Sequence, residues 1–360
     1  MQEGALRIAQ VAPLAEAVPP PSYGGTERVV SYLTEELVRR GHDVTLFASA
    51  DSVTSARLIS CCGRSLRLSP EVVDSVAHHL VMFEHVAEHA DEFDIIHFHA
   101  DYLHFPVSRR EGWPHVTTLH GRLDLPDLQP VYNEFGEMPV VSISHDQRRP
   151  LPQANWVGTV PHGLPRDLYR FSDAAEPYLA FLGRISPEKR VDRAIEIAGR
   201  VGMPLRIAAK IDDSDRAYFE AEIAHMFRLP HVEYLGEIGG EEKAHFLSRA
   251  SALLFPIDWA EPFGLVMIEA MACGTPVVAW RAGSVPEVIT HGVSGLMVDN
   301  MDEAVRATIQ AIDMDRGACR EEFERRFTVE RMAADYLDIY QRIASGVRES
   351  PADPPVEEAV

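Results

Sequence analysis

Short apolar runs alternate with amphipathic helical stretches along this chain, and the alternation constrains the fold more than any other feature. Most of the apolar runs lack the every-second-residue pattern of a half-exposed strand, which is typical of strands that are buried on both faces. A repeated strand–helix order of this kind predicts parallel sheets that are covered by helices on both sides. We therefore expect an α/β chain with doubly wound parallel sheets.

The predicted strands lie at Arg7–Ala12, Asp43–Ala48, Ile95–His99, Val116–Leu119, Val140–Ile143, Tyr178–Leu182, Leu205–Ala209, Val232–Tyr234, Ala252–Phe255, Val277–Ala279 and Gly295–Val298. The predicted helices lie at Thr26–Arg40, Ser75–Ala90, Val191–Val201, Arg216–Phe227, Glu241–Ala250, Leu265–Ala272, Met301–Asp313 and Val329–Ile343.

The length of 360 residues is too great for one typical core and predicts two domains. A segment rich in proline and glycine, Val160–Arg166, marks the boundary, because a new strand–helix series starts at Tyr178. We predict an N-terminal domain at 1–163, a second domain at 164–328, and a C-terminal helix at 329–348. Residues 349–360 combine proline and acids without an apolar pattern, and we expect them to be disordered.

The net charge of −21 argues against nonspecific binding of nucleic acid, and against attachment to an anionic membrane by charge alone. The four cysteines lack metal-ligand spacing and are interpreted as free thiols in a reducing compartment. Neither a leader peptide nor an apolar run near 18 residues is evident, so we expect a cytoplasmic protein.

Two carboxylates, Glu261 and Glu269, stand eight residues apart on either side of a Pro-Phe-Gly turn. The turn predicts a helix that begins near Gly264 and ends at Gly274, where Pro276 prevents its continuation. The start of a helix offers unpaired N–H groups and a positive dipole end, which bind anions. An anion between two acids suggests a ligand with a phosphate and several hydroxyls, such as a nucleotide sugar. An ordinary strand–helix–strand unit with two surface acids has the same spacing.

Other candidate residues follow predicted strands, where ligands bind in parallel sheets. Gly24 and Gly25 precede a helix and let the backbone approach a ligand, although their spacing is not that of a dehydrogenase. His120 follows the fourth predicted strand. Arg184 and Lys189 follow the first strand of the second domain and suit a diphosphate. The alternatives are a plain glycine turn, a structural histidine and a solvated turn.

Three segments resemble metal motifs but predict no metal site. His85-Val-Ala-Glu-His89 matches an inverted zinc-protease motif, but no third ligand can be assigned. Asp213–Asp215 and Asp313–Asp315 have the Asp-x-Asp form, and both fall at predicted helix ends, where aspartate is common as a cap.

Taken together, the motifs resemble the retaining GT-B fold glycosyltransferases of family 4 (glycosyl transferases group 1). Glu261 and Glu269 match the Glu-x7-Glu motif of that family, Gly183-Arg184 with Lys189 resembles its diphosphate pair, and Gly24-Gly25 resembles its glycine loop. The resemblance runs from about Ile8 to Val298, with the motifs in the family's order. Further matching pieces are His120-Gly121, Pro161-His-Gly163 and Gly283-Ser-Val-Pro-Glu287.

The resemblance implies two Rossmann-like domains that face each other across a cleft, the first binding the acceptor and the second binding the donor. It implies that Arg184, Lys189 and the amides of Gly264 and Leu265 hold the donor diphosphate. Glu269 would then accept hydrogen bonds from the ribose hydroxyls.

Further roles are implied by the same resemblance. Glu261 would contact hydroxyls of the transferred sugar, and His120 would lie near the reacting centre. Gly24 and Gly25 would approach the phosphate or the acceptor, and Phe263 belongs to the expected substrate-binding set. The C-terminal helix would return to the first domain.

One segment departs from the commoner family pattern. Many members have a glycine-rich turn after the second strand of the donor domain, where this chain has Lys210-Ile-Asp-Asp. Lys210 is interpreted as a ligand of the donor phosphates or base, or else as a surface lysine. This segment therefore does not predict which nucleotide base the donor carries.

The expected reaction transfers a sugar to an acceptor hydroxyl with retention, without a metal and without a cofactor. The expected donor is linked to UDP or GDP, and the acceptor is a sugar, a glycolipid or a small molecule. A lipid acceptor would require a peripheral contact with a membrane. We place the acceptor loops around Tyr23, Asp101–Phe105 and Arg122–Asn133.

Three other functions remain open. An epimerase would convert a nucleotide sugar without an acceptor, and a phosphorylase would need a lysine that holds pyridoxal phosphate. A binding protein would keep the site without turnover. The two complete pairs, Glu261 with Glu269 and Arg184 with Lys189, favour the transferase.

Overall fold

The structure is a computed structural model that describes residues 4–21 and 24–346. Tyr23, residues 347–348 of the predicted C-terminal helix and the predicted tail 349–360 lie outside the described residues. The first sheet contains β1 (Arg7–Val11), β2 (Asp43–Ser49), β3 (Arg57–Cys62), β4 (Ile95–Phe98), β5 (His115–Thr118), β6 (Pro139–Ser142) and β7 (Asn155–Thr159). The second sheet contains β8 (Leu179–Arg184), β9 (Leu205–Lys210), β10 (Val232–Gly236), β11 (Ala252–Phe255), β12 (Val277–Trp280) and β13 (Gly295–Val298).

The strand order is β3-β2-β1-β4-β5-β6-β7 in the first sheet and β10-β9-β8-β11-β12-β13 in the second. The strand pairs are parallel throughout both sheets. In each sheet the order reverses beside the first strand in sequence, at β1/β4 and at β8/β11. A crevice forms at such a reversal, outside the carboxyl ends of the strands. The predicted α/β class with two doubly wound parallel sheets is confirmed.

The α-helices of the described residues are α1 (Gly25–Arg39), α2 (Ser75–His89), α3 (Phe105–Glu111), α4 (Leu128–Glu134), α5 (Val191–Val201), α6 (Arg216–Tyr218), α7 (Gly240–Arg249), α8 (Leu265–Cys273), α9 (Val285–Val288), α10 (Met301–Ala311), α11 (Arg316–Arg326) and α12 (Val329–Ala344). Among the described residues, no helix combines the length and the apolar character that crossing a membrane would require.

Several elements differ from the prediction. The strands β3 and β7 were not predicted, because they are partly exposed edge strands without a continuous apolar run. The predicted helix Arg216–Phe227 is wrong as one continuous helix, since α6 passes into a π-helical turn at Phe219–Ile223. The prediction also lacked α3, α4 and α9, which are short, and α11, which is mostly charged.

The last helix, α12, packs on the first sheet. Its buried residues include Met332, Tyr336 and Ile339, which share a core with Val141 and Val160. Such apolar burial stabilises a domain by about 25 cal/mol per Å². The helix therefore belongs energetically to the first domain, although it follows the second in sequence.

The chain passes between the domains twice, and the two passages are hydrogen bonded to each other. The Leu164 N–H donates to the Phe327 carbonyl at 2.9 Å, and the Val329 N–H donates to the Leu164 carbonyl at 2.9 Å. A Cβ atom on Gly163 would lie 2.3 Å from the carbonyl oxygen of Thr328, so only glycine allows this approach. The exact ends of the domains, predicted at residues 163 and 328, stay predictions.

Further polar contacts join the domains beside the crevice. The Ser144 hydroxyl donates to the carbonyl of Pro262 at 2.7 Å. The Glu287 carboxylate accepts from the backbone N–H groups of His145 and Asp146, at 2.7 Å each. Loops of the second domain are thus attached to the ends of first-domain strands.

The contact between β7 and α12 gives a test of this packing. A Cβ atom on Gly158 would lie 2.7 Å from Ile339 Cδ1, so Gly158→Ala should lower the free energy of unfolding by about 1–3 kcal/mol through overpacking. Ile339→Val removes that methyl group and should cost about 0.5–1.5 kcal/mol alone. In urea denaturation the double variant should be more stable than the sum of the single effects, and strict additivity would contradict this contact.

Candidate active site

A cavity of about 500 Å³ lies between the two domains, where the carboxyl ends of the strands face each other. We call it the interdomain cavity. It is lined by all eleven predicted site residues: Gly24, Gly25, His120, Arg184, Lys189, Lys210, Glu261, Phe263, Gly264, Leu265 and Glu269. Residues far apart in sequence therefore meet at one place.

Two helices point their N-terminal ends into the interdomain cavity. One is α1, which begins at Gly25, and the other is α8, which begins at Leu265. A Cβ atom on Gly25 would lie 3.5 Å from Leu265 Cδ1, so the two helix starts face each other. Neither helix has a side-chain cap. In α8 the Met267 N–H donates to the Gly264 carbonyl at 3.0 Å, and the amides before it can bind an anion.

Glycine is required at both helix starts. Gly24 has φ of 153°, and a Cβ atom there would lie 2.8 Å from Pro20 Cβ. Gly264 has φ of 78°, and its Cβ atom would lie 2.8 Å from Met267 Cε. A side chain at either position would strain the backbone and fill space beside the amides.

Arg184 and Lys210 are paired neighbours at the ends of β8 and β9, and both reach the interdomain cavity. The Arg184 guanidinium lies 2.6 Å from Glu188 and 3.3 Å from Asp215. The Lys210 ammonium lies 2.7 Å from Asp212. The two cations are therefore held in place by neighbouring acids, of which Glu188 also lines the interdomain cavity.

Lys189 and Glu261 form an ion pair inside the interdomain cavity. The indole N–H of Trp259 donates to Glu261 Oε2 at 2.9 Å, which is also the oxygen that Lys189 contacts. The Lys189 ammonium lies 5.1 Å from the centre of the Trp259 ring, within cation–π range. The sequence prediction missed Trp259, because an aromatic residue in a loop carries no local signal of a site.

Glu269 is buried and holds two partners that the sequence prediction did not include. The Tyr169 hydroxyl donates to Glu269 Oε1 at 2.9 Å, and the Lys243 ammonium lies 2.6 Å from the same oxygen. Burial and the nearby Glu269 carboxylate raise the pKa of Tyr169 well above its usual value, so Tyr169 stays a neutral donor. Sequence alone does not distinguish Lys243 from a surface lysine on the first turn of α7.

The Gly283–Glu287 segment supports the loop that carries Glu261. A Cβ atom on Gly283 would lie 2.3 Å from the Glu261 backbone nitrogen. The Ser284 N–H donates to the Glu261 carbonyl at 2.9 Å, and the Ser284 hydroxyl donates to the Phe263 carbonyl at 2.8 Å. The segment therefore fixes the position of the turn between the two acids.

Phe263 is placed differently from the other predicted site residues. Its ring is buried and packs edge-on against His162 at 4.8 Å between ring centres and against Phe327 at 6.1 Å. The ring thus belongs to the wall of the interdomain cavity and to the core behind it.

His120 lies at the first-domain side of the interdomain cavity. Its Nε2 is 2.9 Å from Nδ1 of His99, and its ring stacks on His162 with 5.3 Å between ring centres. Burial lowers the pKa of His120 to about 3, and burial also lowers the pKa of His99 and of His162 well below the usual value. All three imidazoles are therefore neutral near pH 7.

Within residues 4–21 and 24–346, no group of three or more histidine, cysteine, aspartate or glutamate side chains could hold a metal ion. Of the segments that resemble metal motifs, His89 pairs with Glu92 at 2.6 Å. Asp315 caps α11 by accepting from the Gly317 N–H at 2.8 Å.

The buried histidines predict a pH-dependent stability. Below the ordinary pKa of 6.5 the unfolded chain takes up protons that the folded chain excludes, so stability should fall by about 1.4 kcal/mol per pH unit for each such histidine. Carboxyl groups with a raised pKa, such as Glu16 and Glu27, make the folded chain more stable as the pH falls, but they are fewer than the histidines with a lowered pKa. The histidines with a lowered pKa are His42, His97, His99, His104, His115, His120 and His162.

We expect the thermal midpoint to fall steadily as the pH is lowered from 7.5 to 5.5, and a flat profile would contradict the burial of neutral imidazoles. The control is His104→Gln, which lies outside the cavity lining and keeps a polar group near Ser108 and Thr117. This variant should reduce the slope of the unfolding free energy against pH, because one fewer proton is taken up on unfolding.

Comparisons with known proteins cover both domains. The family model "Glycosyltransferase Family 4" matches residues 23–178, and the family model "Glycosyl transferases group 1" matches residues 167–327. The two matches meet near the passage between the sheets and together span most of the chain.

Among curated relatives, an uncharacterized glycosyltransferase of Methanocaldococcus jannaschii is 23% identical over 279 residues, covering 71% of this chain and 77% of that protein. A D-inositol 3-phosphate glycosyltransferase of Nocardioides is 30% identical over 213 residues, covering 52% of this chain and 44% of that protein. The match to the second relative thus spans less than half of its length.

Solved structures resemble the whole chain. A glycosyltransferase involved in avilamycin A biosynthesis has a TM-score of 0.74 at 24% identity, with 95% of this chain and 99% of that chain covered. A protein of Anabaena in complex with UDP and glucose has a TM-score of 0.72 at 17% identity, with 93% and 99% covered. At these identities the likeness establishes the fold.

Proposed function

We propose that this chain, which the fold and the two family models make a glycosyltransferase with the GT-B fold, moves a sugar from a nucleoside diphosphate sugar to an acceptor hydroxyl. One observation carries the proposal. Two uncapped helix starts and the cations Arg184 and Lys189 converge on a cavity that also holds the acids Glu261 and Glu269.

The donor diphosphate binds at the positive part of the interdomain cavity in this proposal. The amides of Gly264 and Leu265 offer hydrogen bonds along the axis of α8, and the dipole of that helix favours an anion. Arg184 presents a planar fork and Lys189 a point charge, which together suit two phosphates. This arrangement supplies the neutralisation that a bound metal would otherwise give, and we therefore propose a metal-independent reaction that needs no cofactor.

The two acids bind hydroxyl groups in this proposal. Lys243 and Tyr169 both contact Oε1 of Glu269, so its Oε2 can accept from the ribose hydroxyls. Lys189 and Trp259 likewise use Oε2 of Glu261 and leave Oε1 for the transferred sugar. The Anabaena structure with UDP and glucose supports a donor of this class. We keep UDP and GDP as candidates for the nucleotide.

We propose that the transfer retains the anomeric configuration through a front-face reaction. The bond from the anomeric carbon to the donor phosphate oxygen breaks, and a new bond to the acceptor oxygen forms on the same face. The acceptor proton passes to the leaving phosphate. Arg184, Lys189 and the α8 amides stabilise the charge that develops on that phosphate. The lysine partners of Glu261 and Glu269 make both carboxylates poor nucleophiles, which favours this route over a double displacement.

The acceptor approaches from the first domain in this proposal, near Gly24, Gly25 and the loop at Arg122. The Arg122 guanidinium lies 5.9 Å from the centre of the Trp259 ring, so this loop reaches across toward the second domain. A sugar, a glycolipid or a small molecule would each offer a hydroxyl there, and a lipid-linked acceptor would bring the protein to a membrane surface. The four free thiols fit a reducing compartment such as the cytoplasm.

Donor binding should appear as a thermal shift with one nucleotide class. We expect UDP or GDP, with their sugars, to raise the thermal midpoint, and ADP to have little effect. EDTA should not change the shift, because no metal takes part. Glu269→Gln should abolish the shift, because the amide oxygen is needed by Tyr169 and Lys243, and the amide NH2 group, which only donates, then faces the ribose hydroxyls.

Glu196→Ala is the matched control, because Glu196 lies on the outer face of α5, outside the cavity lining. Its shift should equal that of the wild type. A shift that vanishes with EDTA would contradict metal-independent binding, and a lack of any shift would contradict the donor site.

Lys189→Ala should lower kcat by about 10²–10³-fold, because it removes a cation from the developing phosphate charge. The single variant leaves the Glu261 carboxylate without its lysine. The double variant Lys189→Ala/Glu261→Gln removes that charge as well, so its effect on folding should be small. Turnover is measured by nucleotide release, and NMR of the wild-type product should give the donor's anomeric configuration. Arg190→Ala is the control, because Arg190 pairs with Asp192 and Asp258. An unchanged rate in Lys189→Ala would refute the phosphate role.

A further inference from the structure

A chain of buried polar groups runs from the last helix through the first sheet to the interdomain cavity. It starts on α12, passes β5 and β4, returns to α12, and then passes β1 before it ends at the imidazole that lines the cavity. In order its members are Tyr336, Thr118, His97, Tyr340, Gln10, His99 and His120. We call this set the polar chain.

The contacts along the polar chain are of hydrogen-bond length. Between the tyrosines, Thr118 Oγ1 lies 2.9 Å from the Tyr336 hydroxyl and 2.7 Å from His97 Nε2, and His97 Nδ1 lies 2.6 Å from the Tyr340 hydroxyl. Toward the interdomain cavity, Gln10 Nε2 lies 3.1 Å from the Tyr340 hydroxyl. Gln10 Oε1 lies 2.8 Å from His99 Nε2, and His99 Nδ1 lies 2.9 Å from His120 Nε2.

Gln10 gives the polar chain a direction, because its amide has one end that donates and one that accepts. Gln10 Nε2 donates to Tyr340, so Oε1 accepts from the N–H at Nε2 of His99. Burial keeps His99 neutral, so it carries a single proton and its Nδ1 accepts. The N–H toward that Nδ1 must therefore belong to His120 Nε2.

The direction leaves one acceptor without a partner. Since His120 is neutral and carries its proton on Nε2, its Nδ1 has a lone pair. That atom is buried and finds no hydrogen-bond partner among the described residues. A buried acceptor without a partner is unfavourable, and a ligand that donates to it relieves this cost. The ring itself lines the interdomain cavity.

We propose that Gln10 and His99 are positioning residues that hold His120 in its Nε2–H tautomer, so that His120 Nδ1 accepts a hydrogen bond from a hydroxyl of the donor sugar. The inference rests on the proposed glycosyl transfer. In this tautomer the sugar hydroxyl donates its proton to Nδ1. In the opposite tautomer Nδ1–H would donate to the hydroxyl oxygen, and the hydroxyl proton would need another acceptor. If Gln10 were reversed, every bond of the polar chain would reverse, and His120 Nδ1 would carry the proton.

The tautomer is measured directly by nitrogen NMR of protein labelled at histidine, with His120→Asn to assign the signal. Without any ligand, His120 should be protonated at Nε2 and bare at Nδ1. A proton at Nδ1 would overturn the proposal. Because this measurement needs neither donor nor turnover, it can fail while the glycosyltransferase assignment holds.

Ligand titration tests the acceptor role. UDP-glucose and GDP-mannose are the two probes, and UDP and GDP are the sugar-free controls. The Nδ1 signal should move with the nucleotide sugar that binds and stay in place with its free nucleotide. A signal that moves with both, or with neither while the thermal shift reports binding, would overturn the proposal. If no probe gives a thermal shift, the donor assignment fails, and the tautomer result stands by itself.

Variants separate positioning from stability. Gln10→Leu should leave His120 as a mixture of tautomers and lower kcat/KM roughly 10-fold. Gln10→Glu still accepts from His99, so it should restore most of the single tautomer and most of the kcat/KM. Tyr336→Phe is the control, because it breaks the polar chain beyond Gln10 and should change stability without changing the His120 tautomer. Equal losses in Gln10→Leu and Tyr336→Phe would mean that the polar chain is only structural.

Discussion

Both sheets are parallel and carry helices on both faces, so the faces of the sheets offer no surface to a ligand. What remains accessible is the edge where strands end and loops begin. The two sheets turn these edges toward each other, and that arrangement brings Gly25 of α1 against Leu265 of α8. The positions of the cations and acids follow from it, because each one stands within a few residues of a strand end or a helix start.

Charges in the interdomain cavity are paired with each other rather than left open. Lys189 pairs with Glu261, Lys243 with Glu269, and Arg184 with Glu188. Each pairing removes the cost of holding a single charge in a partly buried place. A bound diphosphate would therefore compete with carboxylates for its cations, and affinity would reflect an exchange of partners. Gly283 and Ser284 limit how far the Glu261 loop can move during that exchange.

Sequence patterns predicted the elements whose ends are set by nearby residues, such as turn residues and helix-ending glycines. The turn before Leu265 and the glycine after Cys273 set the bounds of α8 almost to the residue. Lys243 and Tyr169 could not be found in this way, because they reach Glu269 only through long-range packing. Edge strands such as β3 and a largely charged helix such as α11 lack the apolar runs on which the prediction depended. The sequence did not reveal the polar chain for a further reason, since its members lie on four separate elements and on the loops that follow β4 and β5.

The return of α12 to the first sheet has a consequence for biosynthesis. Residues of the second domain leave the ribosome between β7 and α12, and the first domain lacks a wall of its core until α12 follows. The second domain, by contrast, has both faces of its sheet covered before translation reaches Thr328. The second domain, which is synthesised later, can thus complete its fold first. In the first domain Val141 and Val160 remain uncovered until α12 is made. A nascent chain of this design keeps apolar surface of its first domain exposed over a long stretch of its synthesis, which is the condition under which chains aggregate.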